Sequence, residues 1–311
     1  MQERLDRVHG RTVGEGRAVE KTFSHEQSIG WLAYTGSVKL LMIFGLASGL
    51  VLAEPNPDEQ RVYKKAGDVE LKLHIFKPEG HKATDKTPAI VFFFGGGWTG
   101  GTPAQFYPHS EYLAKRGMVA ISAEYRVKSR HNTTPMECVK DGVSAIRWVR
   151  THAVELGIDP KRIAAGGGSA GGHVAAATGT TRGIVEEGED EGVSARPDAL
   201  VLFNPVYDNS EKGYGHSRVK GYWKKISPMH NLDKETPPTI VFLGTKDRLI
   251  PVTTAEKYRD MMKEAGVRSE LFLYEGQPHG FFNKSKSPES YRKTVAQMDE
   301  FLTSLGFLKK K

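Results

Sequence analysis

Residues Arg162–His173 read RIAAGGGSAGGH, and this stretch decides how the rest of the sequence is interpreted. The short apolar segment Ile163–Ala165 predicts a buried strand, and the small residues from Ala170 onward predict a helix. Between them, Gly167–Gly171 fits the pattern G-x-S-x-G, in which a serine sits on a sharp strand-to-helix turn. Such a turn crowds the backbone, so the positions that flank the serine need glycine. Ser169 is therefore a candidate nucleophile, and the N–H of Ala170 beside it is a candidate donor to an oxyanion.

The strands and helices predicted around this stretch alternate along the chain. Continuous apolar runs predict buried strands, alternating runs predict half-buried strands, and a 3.6-residue period predicts helices. The predicted strands are Arg61–Lys65, Val69–Phe76, Ala89–Phe94, Met118–Ala123, Ala199–Phe203, Thr239–Leu243 and Ser269–Tyr274. The long predicted helices are Thr134–Leu156, Thr253–Ala265 and Glu289–Leu305. This alternation indicates an α/β fold, with a mostly parallel central sheet and helices on both faces in a three-layer α/β/α arrangement.

Polar loops follow three other predicted strands. In a parallel sheet, such loops meet at the carboxyl edge, where ligands bind. Gly95–Gly97 comes directly after AIVFFF, and its glycines leave the N–H groups of Gly96 and Gly97 open to an oxyanion. Asp247 follows TIVFLG, and His279 follows the last strand. Ser169, Asp247 and His279 thus occur in the order Ser, Asp, His that a catalytic triad on such a sheet requires.

Four stretches of the sequence resemble a known family. The stretches FFFGGGWTGG, GGGSAGGH, GTKDRLIPV and GQPHGFFN are similar to those of the α/β-hydrolase carboxylesterases. The resemblance spans roughly Asp58 to Leu305, and it is strongest to the hormone-sensitive-lipase-like esterases and to the acetylxylan and feruloyl esterases. It implies an α/β-hydrolase fold with Ser169, Asp247 and His279 as the triad and with Gly96, Gly97 and Ala170 as the oxyanion hole.

Two departures from this group bear on the substrate. Many lipase-like relatives have histidine before the three glycines, where this chain has Phe94. No N-terminal segment is available to build their helical cap, which leaves the inserts Gly179–Asp198 and Asn204–Asp233. The second insert carries four aromatic residues that either line the site for a sugar or phenolic group or pack the insert against the domain: Tyr207, Tyr214, Tyr222 and Trp223. A shallow, polar site favours acetyl esters of carbohydrates or other small polar esters as substrates.

Several alternatives are open from the sequence. Asp208 is a second candidate for the triad acid, and His173 is predicted to pack inside a helix rather than to act in catalysis. A general short-chain carboxylesterase is the closest alternative function. A serine peptidase of the prolyl-oligopeptidase type shares the serine motif but normally carries a propeller domain, for which this chain has no room. A non-enzymatic binding protein would lack a triad member, and none is missing here.

Composition excludes other partners. The 311 residues include 44 Lys and Arg against 37 Asp and Glu, a formal net charge of +7. These charges are scattered, so a solvated basic surface is favoured over nucleic-acid binding. The single cysteine, Cys138, excludes an internal disulfide bond and is predicted to lie in the core. Neither a cofactor nor a metal is expected, because the other histidines, such as His109, His131 and His216, lack the spacing of metal ligands.

The N-terminal region has a separate interpretation. Lys39 precedes the 14-residue apolar run Leu40–Ala53, which ends in small residues. A transmembrane helix needs about 20 apolar residues, so the run predicts a signal peptide over 38–53, cleaved after Ala53, and no stable insertion in a membrane. Residues 1–37 are then a disordered or wrongly assigned extension, with Val38 as the hypothetical true initiator. The catalytic domain is expected at 54–311, in a secreted or periplasmic protein.

Overall fold

The computed structural model describes residues 55–311. The predicted extension at 1–37 and the predicted signal peptide at 38–53 lie outside the described residues. Eight strands form one sheet: β1 (Glu59–Ala66), β2 (Val69–Phe76), β3 (Thr87–Phe93), β4 (Val119–Ala123), β5 (Ile158–Gly168), β6 (Ala199–Phe203), β7 (Thr239–Gly244) and β8 (Ser269–Tyr274). No helix of the described part is long and apolar enough to cross a membrane.

The strand order in the sheet is β1-β2-β4-β3-β5-β6-β7-β8. The pairs β1–β2 and β2–β4 are antiparallel, and every other neighbouring pair is parallel. The parallel strands β3, β6 and β7 are buried on both faces, which explains why they appear in the sequence as continuous apolar runs. The predicted mostly parallel sheet is confirmed.

Helices cover both faces of the sheet. They are α1 (Tyr107–Lys115), α2 (Lys128–His131), α3 (Pro135–Thr151), α4 (Ala170–Thr180), α5 (His216–Val219), α6 (Trp223–Ile226), α7 (Pro228–Asn231), α8 (Val252–Glu264) and α9 (Pro288–Ser304). One core contains apolar residues of α3, α4 and α8, and the other contains those of α1 and α9. The two cores lie on opposite faces of the sheet, so the predicted three-layer arrangement is confirmed.

Helix α3 shows where sequence periodicity misplaces a boundary. Its N-terminus has a capping box, in which the Thr134 hydroxyl accepts from Met136 N–H and the Glu137 carboxylate accepts from Thr134 N–H. The helix ends at Thr151, whereas the prediction extended it to Leu156. Leu156 is buried in the following turn, so its apolar character reflects burial and not helical continuation.

Candidate active site

Ser169 lies between β5 and α4 in a strained backbone conformation. Its φ is 55° and its ψ is −119°, a region that a residue with a side chain seldom adopts. The neighbouring glycines are required by contact: a Cβ on Gly171 would collide with the carbonyl oxygens of Phe93 and Phe94 at the end of β3. The sequence therefore builds a turn that leaves Ser169 half-buried at the carboxyl edge of the sheet.

The structure brings the three predicted triad residues together. His279 Nε2 lies 2.9 Å from Ser169 Oγ, and His279 Nδ1 lies 2.6 Å from Asp247 Oδ2. The Asp247 carboxylate is fully buried, and its other oxygen accepts from the N–H groups of Leu249 at 2.8 Å and Ile250 at 3.0 Å. Because the carboxylate accepts a hydrogen bond from Nδ1–H, Nε2 of the neutral imidazole is unprotonated and can accept a hydrogen bond from the Ser169 hydroxyl.

The glycine loop after β3 lies directly against the serine. A Cβ on Gly95 would be 3.0 Å from Gly168 O and 3.4 Å from Ser169 Cβ. Gly96 and Gly97 have φ values of 133° and 61°, which favour glycine. Within residues 55–311, their N–H groups donate no hydrogen bond. Ala170 is the first residue of α4, where N–H groups have no partner inside the helix.

Side chains from distant parts of the chain hold this loop in place. Gln105 accepts the Gly95 N–H at 2.6 Å and donates to Asn283 Oδ1 at 3.0 Å, which joins the glycine loop to the segment after His279. The Trp98 indole N–H donates to His173 Nδ1 at 3.3 Å. His173 is fully buried on α4, and this burial lowers its pKa to about 4, so it is the neutral acceptor that the indole needs. His173 is buried, as predicted, and it also holds the loop through Trp98, which was not predicted.

Phe94, the residue directly before the three glycines, supports the loop. Its ring stacks on Tyr125 with the ring centroids 4.2 Å apart. The Tyr125 hydroxyl donates to the Phe94 carbonyl oxygen at 2.5 Å. An aromatic stack and one hydrogen bond therefore fix the start of the glycine loop.

Asn204 is a residue of the site that the sequence analysis missed. It follows β6, is fully buried and has a φ of 34°. Its Oδ1 accepts the Gly280 N–H at 2.9 Å, which orients the amide so that Nδ2 points toward His279 Nε2 at 3.4 Å. The available signal was its position: like the other site residues, it comes directly after a buried strand.

The other residues that the sequence suggested for this region have different roles in the structure. Asp208 accepts the Ser210 N–H in a local turn at 2.7 Å, while His279 pairs with Asp247. Tyr207 is fully buried and its ring stacks on Tyr258, so it packs the insert against the domain. Tyr222 and Trp223 pack against a third apolar cluster, formed with α3. Of the four aromatic residues, Tyr214 is the one that reaches the site, where its ring centroid lies 5.7 Å from that of Trp98.

Known proteins share the fold of this chain. A family model described as alpha/beta hydrolase fold matches residues 90–283. The structure is similar to the apo form of Thermogutta terrifontis esterase 2, with a TM-score of 0.80 at 48% identity over 83% of this chain and 98% of that chain. The butyrate-bound form of the same esterase gives a TM-score of 0.78 at 47% identity over 81% and 96% of the two chains.

Curated relatives are more distant. Esterase LipC of Mycobacterium tuberculosis is 30% identical over 224 residues, which cover 64% of this chain and 54% of that protein. An acetylxylan esterase of Xylanibacter ruminicola is 28% identical over 230 residues, 69% of this chain and 44% of that protein. The chain spans about half the length of the curated relatives it matches.

Proposed function

The chain belongs to the α/β-hydrolase family, and we propose that it is a serine carboxylesterase acting through Ser169, His279 and Asp247. The family model and the esterase relatives confirm the resemblance that the four motifs indicated. The observation that carries the proposal is the continuous path from Ser169 Oγ through the imidazole to the buried carboxylate, beside N–H groups without acceptors in the described residues.

The first half of the reaction forms an acyl-enzyme. Ser169 Oγ attacks the ester carbonyl carbon while His279 Nε2 takes the hydroxyl proton. The oxyanion is stabilised by the N–H groups of Gly96, Gly97 and Ala170, each worth about 3 kcal/mol to the transition state. Asp247 stabilises the imidazolium. When the intermediate collapses, the C–O bond to the alcohol breaks, and His279 returns its proton to the leaving oxygen.

The second half of the reaction regenerates the serine. His279 Nε2 takes a proton from a water molecule, whose oxygen attacks the acyl carbon through the same oxyanion site. The bond to Ser169 Oγ then breaks, and the imidazolium returns the proton to this oxygen. A carboxylic acid leaves, and the hydrogen bond between serine and histidine is restored.

We infer that the substrate is an ester of a short acyl group, above all acetyl, with a carbohydrate or another polar alcohol. Two structures of the Thermogutta esterase hold propionate and butyrate, which supports a short acyl site by similarity. One curated relative is an acetylxylan esterase, which supports a carbohydrate substrate. The general short-chain carboxylesterase is the broader form of the same proposal.

The test is the hydrolysis of para-nitrophenyl acetate, butyrate and octanoate by the full chain. We expect acetate or butyrate to be preferred, and Ser169→Ala to lower kcat by about 10⁴-fold or more. Ser210→Ala, which removes a hydroxyl from a turn of the insert, is the matched control and keeps wild-type activity. Preference for octanoate would refute the short acyl site, and equal rates for wild type and Ser169→Ala would refute the triad.

The same Thermogutta esterase has also been solved phosphorylated by paraoxon, which offers a second test. Wild-type protein is expected to gain one diethylphosphoryl group, located by peptide mass spectrometry on Ser169. The Ser169→Ala variant is expected to gain none. A group attached elsewhere in the wild type would contradict the assignment of the nucleophile.

We further propose secretion, with cleavage after Ala53. The support is the pattern of Lys39 followed by the apolar run Leu40–Ala53. N-terminal sequencing of the protein from the producing cells is expected to begin at Glu54. Recovery of peptides from residues 1–37 would contradict Val38 as the initiator, and an intact run at 40–53 would contradict cleavage.

A further inference from the structure

A polar cavity of about 420 Å³ adjoins the glycine loop. Its walls come from three separate segments: the loop itself at 97–99, residues of α2 and of its connection to α3 at 128–135, and α5 of the second insert. Gly97, whose N–H is a candidate oxyanion donor, is part of the wall. A group that occupies the cavity therefore lies beside the glycine loop.

The charge of this cavity is positive. Lys128 and Arg218 line it, and no aspartate or glutamate does. In the described part of the chain, neither cation forms an ion pair with a carboxylate. Two like charges beside one cavity repel each other, and an anion between them would relieve that repulsion.

Arg218 is held in place although it has no carboxylate partner. Its Nη1 donates to the Gly97 carbonyl oxygen at 2.8 Å. The guanidinium carbon lies 5.7 Å from the Trp98 ring centroid and 5.6 Å from that of Tyr214, within the range of cation–π contacts. A guanidinium fixed in this way loses little entropy on binding, and its remaining N–H groups match a carboxylate.

The uncharged part of the wall is rich in hydroxyl groups. It contains the side chains of Thr99, Asn132, Thr133, Thr134 and Ser217. The Thr133 hydroxyl is buried and has no hydrogen-bond partner in residues 55–311. Trp98 also lines the cavity but is 2% exposed, which leaves no aromatic face for a flat apolar group.

We propose that this cavity is a substrate subsite for an acidic, hydroxyl-rich group, such as the uronic acid unit of an acylated sugar. Lys128 and Arg218 bind the carboxylate, and the Ser217 hydroxyl and the Asn132 amide bind the sugar hydroxyls. This assignment rests on the proposed esterase function, whose substrate class it narrows from polar esters to anionic carbohydrate esters.

The test compares two substrates that differ in one group: mono-O-acetylated methyl glucuronoside and mono-O-acetylated methyl glucoside. Full-chain protein is expected to favour the acidic ester in kcat/KM by about tenfold at low ionic strength, mainly through KM. This preference is expected to fall as salt is added, because the two cations are exposed to solvent. Equal kcat/KM values would overturn the subsite, and activity on the neutral ester would leave the esterase proposal intact.

Variants separate the cavity from the general positive charge of the protein. Lys128→Gln is expected to reduce the preference for the acidic ester over the neutral ester, in kcat/KM, about threefold. Lys220→Gln removes the same charge from an exposed position just beyond α5 and is expected to keep the full preference. An equal loss of preference for the acidic ester in both variants would mean that the overall positive charge of the protein attracts this ester, and the cavity assignment would be wrong.

Binding without hydrolysis tests the subsite independently of the reaction. Ser169→Ala is titrated calorimetrically with methyl glucuronoside and with methyl glucoside. Tighter binding of the acidic glycoside that weakens in Ser169→Ala/Lys128→Gln supports the subsite even if no ester is hydrolysed. Indistinguishable binding of the two glycosides would overturn it.

Discussion

The burial of His109 predicts how the free energy of unfolding depends on pH. His109 lies on α1 among aromatic rings, with its centroid 5.1 Å from that of Phe106, 5.2 Å from Phe203 and 4.8 Å from Tyr291. Neither ring nitrogen has a hydrogen-bond partner within residues 55–311. Burial therefore lowers the pKa of His109 from 6.5 to about 3.

The sign of the effect follows from proton binding. Below pH 6.5 the unfolded chain protonates this histidine, whereas the folded chain keeps it neutral down to about pH 3. The free energy of unfolding is therefore lowered as the pH falls through this window. At 1.36 kcal/mol per unit, His109 lowers it by about 2 kcal/mol at pH 5 relative to pH 8.

The assay is urea unfolding at pH 8 and at pH 5. His109→Leu removes the titrating ring, so the variant is expected to lose about 2 kcal/mol less than wild type between the two pH values. His109→Phe is a second variant of the same kind, in case leucine packs poorly. Phe106→Leu perturbs the same cluster without a titrating group, and it is expected to lower stability equally at both pH values. Identical pH dependence in wild type and His109→Leu would refute the reasoning.

Four variants of the site test the remaining assignments. Asp247→Asn is expected to lower kcat by about 10⁴-fold in a steady-state assay, because the amide no longer fixes the imidazole with its proton on Nδ1; a loss under tenfold would contradict this. Trp98→Phe removes the donor to His173 and is expected to lower kcat/KM about fivefold, the value of one hydrogen bond, with little change in melting temperature; unchanged kinetics would show that the loop needs no such bond. Asn204→Asp keeps an acceptor for the Gly280 N–H but places a carboxylate near the imidazole, so the acidic limb of the pH–rate profile is expected to move upward by about one unit. Asn204→Ala also loses the bond to Gly280 and is expected to lower the free energy of unfolding by about 1–3 kcal/mol in urea.

Much of the fold could be predicted because its signals are local. The fully buried strands β3, β6 and β7 are continuous apolar runs, and β2 alternates, so each was predicted close to its observed bounds. The short helices α2 and α5–α7 were not predicted, since four residues carry no periodicity. Strand β5 starts at Ile158, five residues before the predicted apolar segment. In its polar first half only Ile158 pairs with β3, and the regular pairing with β3 begins at Ile163, so the apolar pattern of the sequence marks only the second half of the strand.

Some residues of the candidate site could also be predicted from the sequence, and others could not. Ser169, Asp247 and His279 were predicted because each follows a strand, and a sheet brings the ends of its strands together whatever lies between them. Asn204 has the same position but was missed, because an asparagine before a proline is an ordinary loop residue until a structure places His279 beside it.

The sequence by itself determined the class of fold, the strained turn at Ser169 and the order of the triad, because these depend on backbone freedom and on burial periods encoded within a few residues. Only the tertiary structure decided which insert residues face the site. Tyr207 and Arg218 lie on the same insert, yet one stacks in the core and the other reaches the Gly97 carbonyl. These contacts join residues 51 and 121 positions apart, and the local sequence of an irregular loop does not indicate which distant residues it will contact.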